Sequence, residues 1–220
     1  MLFIFCAFVF GFCVPYMARR FNKFMPATFA GALVELFRHE KKTKAIRKNK
    51  LYKKFMWRSF MCGLLNALLV ALGVCFATNI SPAFLTLYIC LLVLMAEIDF
   101  RSMLLPDILT IPLLLVGFFV ACFGLSNMQI EDSVVGAMVG YFLPVLVCLL
   151  IVWYKKDAFG GGDIKLLSAL GAWLGVESLL NVVAVASILG IVYAIVKRKS
   201  SLAFGPMIAI AGIAVAILKF

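Results

Sequence analysis

The residues of this chain that can do chemistry are few, and they are acidic. Ten Asp and Glu stand among 220 residues, with a single histidine, His39. Water explains five of the acids: Glu35 and Glu40 belong to a basic stretch, and Glu131, Asp132 and Glu177 to polar gaps between apolar runs. Asp157, beside Lys155 and Lys156, reads as a surface charge. The other four form two clusters. In the first, Ala96-Glu97-Ile98-Asp99 closes one apolar run and Pro106-Asp107 opens the next. The second is Gly160-Gly161-Gly162-Asp163-Ile164-Lys165. A carboxylate at the edge of an apolar helix is costly, which makes each a site candidate. Pro106 ends helical backbone before it. Asp107 fits a helix N-cap or takes a direct catalytic part. Asp99 has no capping role to explain it, because the C-terminal end of a helix repels an anion. Three glycines before Asp163 permit unusual backbone angles and close approach of another chain.

Two aspartates brought together cannot both ionise and share one proton. One then serves as base toward a water while the other protonates or polarises a scissile carbonyl. That is peptide hydrolysis by an acid pair, without metal, nucleotide or cysteine. No rival nucleophile set is present: there is no GxSxG, no HExxH and no Walker loop, and His39 reads as a solvated side chain.

Such a pair needs elements that return Asp163 to Asp99 over a separation of 64 positions, and the composition says what they are. Apolar residues make up 65% of the chain and charged ones 14%, and the mean hydropathy is +1.11. A soluble domain is about 45–50% apolar, so the excess must face lipid. The class is all-α, a polytopic integral membrane protein with about eight transmembrane helices. A crossing needs about 20 apolar residues, and apolar runs between polar breaks lie near 1–17, 59–78, 83–98, 108–125, 133–154, 165–177, 179–196 and 203–219, the sixth of them short. The first reads as a retained helix rather than a cleaved signal, since no basic segment precedes it. Thirteen of the 21 basic residues lie between Arg19 and Arg58. The positive-inside rule makes that loop cytoplasmic, and eight crossings then place 20 of the 21 inside, leaving Lys219 outside. Both acidic clusters fall on the cytoplasmic side. The basic loop is expected to lie on anionic lipid headgroups and to bind no nucleic acid, having no recognition fold around it. Seven cysteines sit in apolar runs and read as small core residues rather than disulfides or zinc ligands. The organisation is residues 1–58, a first helix plus basic cytoplasmic loop, and 59–220, a membrane-embedded core.

Asp99 to Thr110, Asp99-Phe-Arg-Ser-Met-Leu-Leu-Pro-Asp-Ile-Leu-Thr, resembles the first signature of the type IV prepilin peptidases, the GxGD class of membrane leader peptidases. Gly160 to Gly175 is similar to the second, with Gly160 and Gly162 as its glycines. Ala203-Phe-Gly-Pro-Met resembles the opening of the family's last helix. The resemblance implies an aspartic endopeptidase with Asp99 and Asp163 as the catalytic pair and Pro106, Asp107, Gly160, Gly162 and Lys165 in support. It implies removal of a short basic leader from a prepilin or pseudopilin at the cytoplasmic face of the inner membrane. Many relatives also brace the first loop with two cysteine pairs and methylate the new N-terminus with S-adenosylmethionine. The Arg19–Arg58 loop contains no cysteine. The expectation is therefore cleavage with no cofactor, S-adenosylmethionine entering only if methyl transfer is retained. The rival readings are a proton- or ion-coupled transporter using the acids as a relay, and a scaffold of a pilus or secretion machine in which the acids only cap helices.

Overall fold

A computed structural model of the chain describes residues 1–24, 50–152, 160–197 and 203–220. The basic stretch around His39, Asp157 and most of the Lys197–Lys199 run lie outside the described residues. Seven helical elements make up the described parts: α1 (Leu2–Phe24), α2 (Lys50–Phe76), α3 (Pro82–Ser102), α4 (Asp107–Cys122), α5 (Ile130–Val152), α6 (Gly161–Lys197) and α7 (Gly205–Lys219). Helix is what a lipid-facing chain must form, because hydrocarbon offers no partner to backbone N–H and C=O groups. Five of these helices (α1, α2, α3, α5 and α6) are long and apolar enough to cross a membrane, while α4 and α7 are shorter apolar helices. Their outward faces are apolar too. Leu64, Leu68 and Leu72 on α2, Phe142, Leu146 and Leu149 on α5, and Ile188, Ile191 and Ile195 on α6 are all exposed, at spacings of three and four. A water-facing surface does not look like this. The protein is an all-α polytopic membrane protein.

The boundaries differ from the apolar runs in two informative places. The second run was expected to begin at 59, yet α2 starts at Lys50. Lys53, Lys54 and Arg58 therefore extend the helix beyond its apolar part, the two lysines exposed and Arg58 half-buried. The expected spans 165–177 and 179–196 are joined in α6, whose backbone is non-helical at Gly175 (φ 68°, ψ 176°). Its 37 residues would reach about 55 Å as one straight rod, against a hydrocarbon thickness of about 30 Å. It is not straight. Leu167 and Val183 line the same small pocket, whereas a continuous helix would hold them about 24 Å apart. The chain doubles back at Gly175, where the left-handed φ suits a residue without Cβ. The Leu174 carbonyl left over at this reversal accepts a hydrogen bond from Lys219 Nζ at the end of α7.

Helix α3 lies at the centre, burying Leu85, Tyr88, Leu92, Leu94 and Ile98. The Tyr88 hydroxyl donates to the Gly212 carbonyl of α7 at 3.1 Å, and Trp173 Nε1 of α6 donates to the Leu113 carbonyl of α4 at 2.8 Å. Helices α5 and α6 meet backbone to backbone. A Cβ on Gly136 would lie 2.3 Å from the Gly171 carbonyl oxygen, and one on Gly140 2.5 Å from that of Leu167. Small residues permit this approach, the usual way helices associate without a hydrophobic drive between them. Ser133 and Ser168 then bond across the seam to the Ala172 and Ala137 carbonyls at 2.6 and 2.9 Å. Gly136→Val is expected to destabilise the bundle by about 3 kcal/mol, the upper range for overpacking. Thermal unfolding in detergent checks it.

Candidate active site

Four helix ends converge at one end of the bundle: the last turn of α3 and the first turns of α4, α6 and α7. Helix α3 stops where Met103 turns left-handed (φ 53°, ψ 32°) and its N–H returns to the Asp99 carbonyl at 2.8 Å. Asp99 thus lies in the last turn of α3, with only 4% of its surface exposed. The expectation that nothing there offsets its charge is corrected by the tertiary structure. The Gly205 backbone N–H, at the start of α7, donates to Asp99 Oδ2 at 3.0 Å. The positive end of a second helix compensates the negative end of the first.

Asp163 enters from the first turn of α6, half-buried, its backbone N–H donating to the Gly160 carbonyl at 3.0 Å. Its neighbour Gly162 packs against Leu105, in the turn that follows the helix carrying Asp99. The two acids, 64 residues apart in sequence, thus share one end of the bundle. The glycines before Asp163 are not equivalent. A Cβ on Gly162 would come within 2.7 Å of the Leu105 Cβ, one on Gly160 within 3.2 Å of the Asp163 Oδ2, and one on Gly161 would meet nothing within 4 Å. Close approach of a second chain segment is real at Gly162.

Asp107 is not the N-cap. Pro106 holds that position in extended backbone (φ −75°, ψ 133°), and the cap makes no side-chain hydrogen bond. This moves Asp107 into the first turn of α4, where its carboxylate accepts from Lys165 Nζ of α6 at 2.7 Å to each oxygen. The pair clamps α4 to α6 beside the acids. It is well exposed, 45% for Lys165 and 54% for Asp107, and exposed pairs contribute about 0.2–1 kcal/mol. Asp107→Asn and Lys165→Met are accordingly expected to lower activity less than about tenfold each, with a coupling below about 1 kcal/mol in a double-mutant cycle.

The contacts of two site neighbours, the candidate acid Glu97 and Gly205, are not given by the sequence. Glu97 pairs with Arg58 of α2 at 2.9 Å and Arg101 of α3 at 2.6 Å. The i,i+4 half of that network was there to be read, while the Arg58 half exists only in the fold. Gly205 gave no signal beyond the Phe-Gly-Pro likeness. At the opposite end, a cavity of about 920 Å³ is lined by Glu131, Asp132, Glu177 and Lys219 among others. The basic residues Arg58, Arg101 and Lys165 thus share the end bearing the acid pair, and Lys219 lies at the other.

Apolar helices gathered around a pair of acids at one end define a multi-pass membrane protein with a candidate hydrolytic site. Residues 85–195 match the family described as the type IV leader peptidase family. The chain belongs to that family, and is by that membership a protease, as the resemblance of its motifs implies. It is similar to the "Prepilin leader peptidase/N-methyltransferase" of Escherichia coli (strain K12), 40% identical over 169 residues that make up 72% of this chain and 73% of that protein. It is also similar to the protein of the same description from Pectobacterium carotovorum subsp. carotovorum, 43% identical over 136 residues, 56% of this chain and 46% of that protein. A third is the "Type 4 prepilin-like proteins leader peptide-processing enzyme" of Escherichia coli O78:H11 (strain H10407 / ETEC), 34% identical over 131 residues, 58% of this chain and 49% of that protein. The chain thus spans about half the length of the latter two relatives. No solved structure matches the chain.

Proposed function

We propose that this chain is an aspartic endopeptidase of the inner membrane that removes the leader of prepilin-like or pseudopilin substrates at the cytoplasmic face, with Asp99 and Asp163 as its catalytic pair. The observation that carries the reading is the placement of two carboxyl groups, from helix ends that the packing of Gly162 on Leu105 and the Lys165–Asp107 pair bring together, at one end of the bundle and inside the segment matched by the family. One carboxylate draws a proton from water as its oxygen attacks the scissile carbonyl, and the other gives a proton to the carbonyl oxygen. A substrate with a basic leader ahead of an apolar helix suits this edge: the helix lies in the bilayer and the leader stays in water. Pro106, Asp107, Gly160, Gly162 and Lys165 act in support, by setting the turn, the clamp and the close approach that position Asp163. The Arg19–Arg58 stretch rests on anionic headgroups, which orients the chain with its acid end toward the cytoplasm.

No resident cofactor takes part in this reaction. The names of the relatives pair the peptidase with an N-methyltransferase, an activity that would draw on S-adenosylmethionine. The cavity of about 920 Å³ does not fit a methyl donor for this product, because its lining residues Glu131, Glu177 and Lys219 stand at the end away from Asp99. The transporter reading is not favoured: the acids stand at a helix end, whereas transporter sites lie near the bilayer midplane. The test is incubation of the protein in vesicles with a candidate prepilin, followed by mass analysis of the product. A new N-terminus at the leader boundary supports the reading, and an intact substrate overturns it. The same spectrum shows whether a methyl group is added.

A further inference from the structure

Asp99 is held from outside its own helix, and the holding group is singular. The first amides of a helix have no intrahelical partner. In α7, Met207 and Ile208 donate back to the Phe204 carbonyl at 3.0 and 3.1 Å, and Pro206 has no N–H. That leaves the Gly205 N–H, and it points at Asp99 Oδ2. The contact also demands glycine. A Cβ at position 205 would lie 2.6 Å from that same Oδ2, 2.9 Å from Cγ and 3.2 Å from Cβ of Asp99. Any larger residue would push the carboxyl away from the donor that holds it. Asp163 is treated differently: among the described residues its carboxyl receives no N–H donor, and its near neighbour is Gly160. Gly205 also lies outside residues 85–195, the part matched by the family.

We infer that Gly205 is a positioning residue that divides the labour of the pair: its N–H holds Asp99 as the carboxylate base, and Asp163 serves as the acid. This rests on the reading of Asp99 and Asp163 as the catalytic pair. In the step so assigned, Asp99 takes one proton from water and the water oxygen bonds to the scissile carbonyl carbon. The Asp163 proton moves to the carbonyl oxygen, giving a geminal diol. Asp99 then hands its proton to the leaving nitrogen as the C–N bond breaks, and a diol proton returns to Asp163. One water is consumed and both acids end as they began.

The experiment uses the full chain in vesicles with a prepilin peptide, comparing Gly205→Ala, Asp99→Asn and a variant carrying glycolic acid at 205. The last replaces the Gly205 N–H by an ester oxygen and adds no atom, so it tests the donor alone even if Gly205→Ala fails to fold. Expected is a fall in kcat of about 10²-fold, the usual loss for one fixed donor, with KM unchanged within about threefold. A purely structural role would not change the infrared signature of Asp99. The spectrum of the parent minus that of its Asp99→Asn derivative should contain a carboxylate stretch with glycine at 205 and a protonated C=O stretch with glycolate. Unchanged kcat and an unchanged carboxylate stretch in the glycolate variant overturn the inference while the catalytic pair stands. Retained cleavage by Asp99→Asn instead overturns the pair, and the inference with it.

Discussion

Asparagine at position 99 or 163 is expected to stop leader cleavage, with a loss of about 10⁴-fold for either change, at the top of the range for general acid–base groups. At about 1.36 kcal/mol per decade, this is roughly 5.5 kcal/mol of barrier. The fold should survive. Asn is isosteric with Asp, and at position 99 its amide oxygen can still accept the Gly205 N–H that now reaches Oδ2. Neither Asn can take a proton from water or return one to the leaving nitrogen, so the chemistry fails where the architecture does not. Groups that act as a unit are not additive, so the double variant is expected to be no worse than either single one. Mass-detected leader release from membranes checks all three. Processing near the normal rate by either single variant removes the proposed mechanism.

Gly162→Val is expected to cost about 10²-fold in cleavage, the loss that follows from roughly 1 Å of misplacement at a reacting centre, while Gly161→Val stays close to the parent. The two changes are chemically identical and one residue apart. At 162 the first added atom meets the Leu105 Cβ at 2.7 Å, a side-chain atom fixed in place by its own Cα, with the Leu105 carbonyl oxygen at 3.3 Å and that Cα at 3.4 Å behind it. These atoms cannot swing aside as a side-chain tip can. Leu105 lies in the turn between Met103 and Pro106, so displacing it moves the links from α3 to α4 on one side and Asp163 on the other. At 161 nothing lies within 4 Å. Kinetics of the two variants in the same vesicles, alongside thermal unfolding, check the contrast. Equal loss from both would mean that the run needs glycine for flexibility rather than for space.

Periodicity and spacing carried much of this protein's plan. The class was legible because lipid leaves helix as the sole local solution for runs such as Leu64–Val74 or Leu143–Ile151, and because so many apolar residues had no water-free interior to enter. Asp99 and Asp163 stood out for a related reason, since acids at apolar edges are rare and expensive. Chemistry confined to single positions was legible too, as with the three glycines ahead of an aspartate. Contacts between elements were not. Asp107 looked like a cap because its neighbours in sequence form a helix start, yet Lys165 is 58 residues away and decides what its carboxylate does. Glu97 stood among the candidate acids, but its pairing had no signature because Arg58 reaches it only across α2 and α3. Asp99 seemed to face the wrong end of a dipole because the compensating dipole belongs to α7. The reversal at Gly175 and the backbone seam at Gly136 and Gly171 likewise have no local signature. Hydrophobic burial and backbone satisfaction act on every residue where it stands, so the chain alone determined the helices and the places where charge is costly. Pairing depends on which surfaces come to lie against each other, and that only the packed bundle decided.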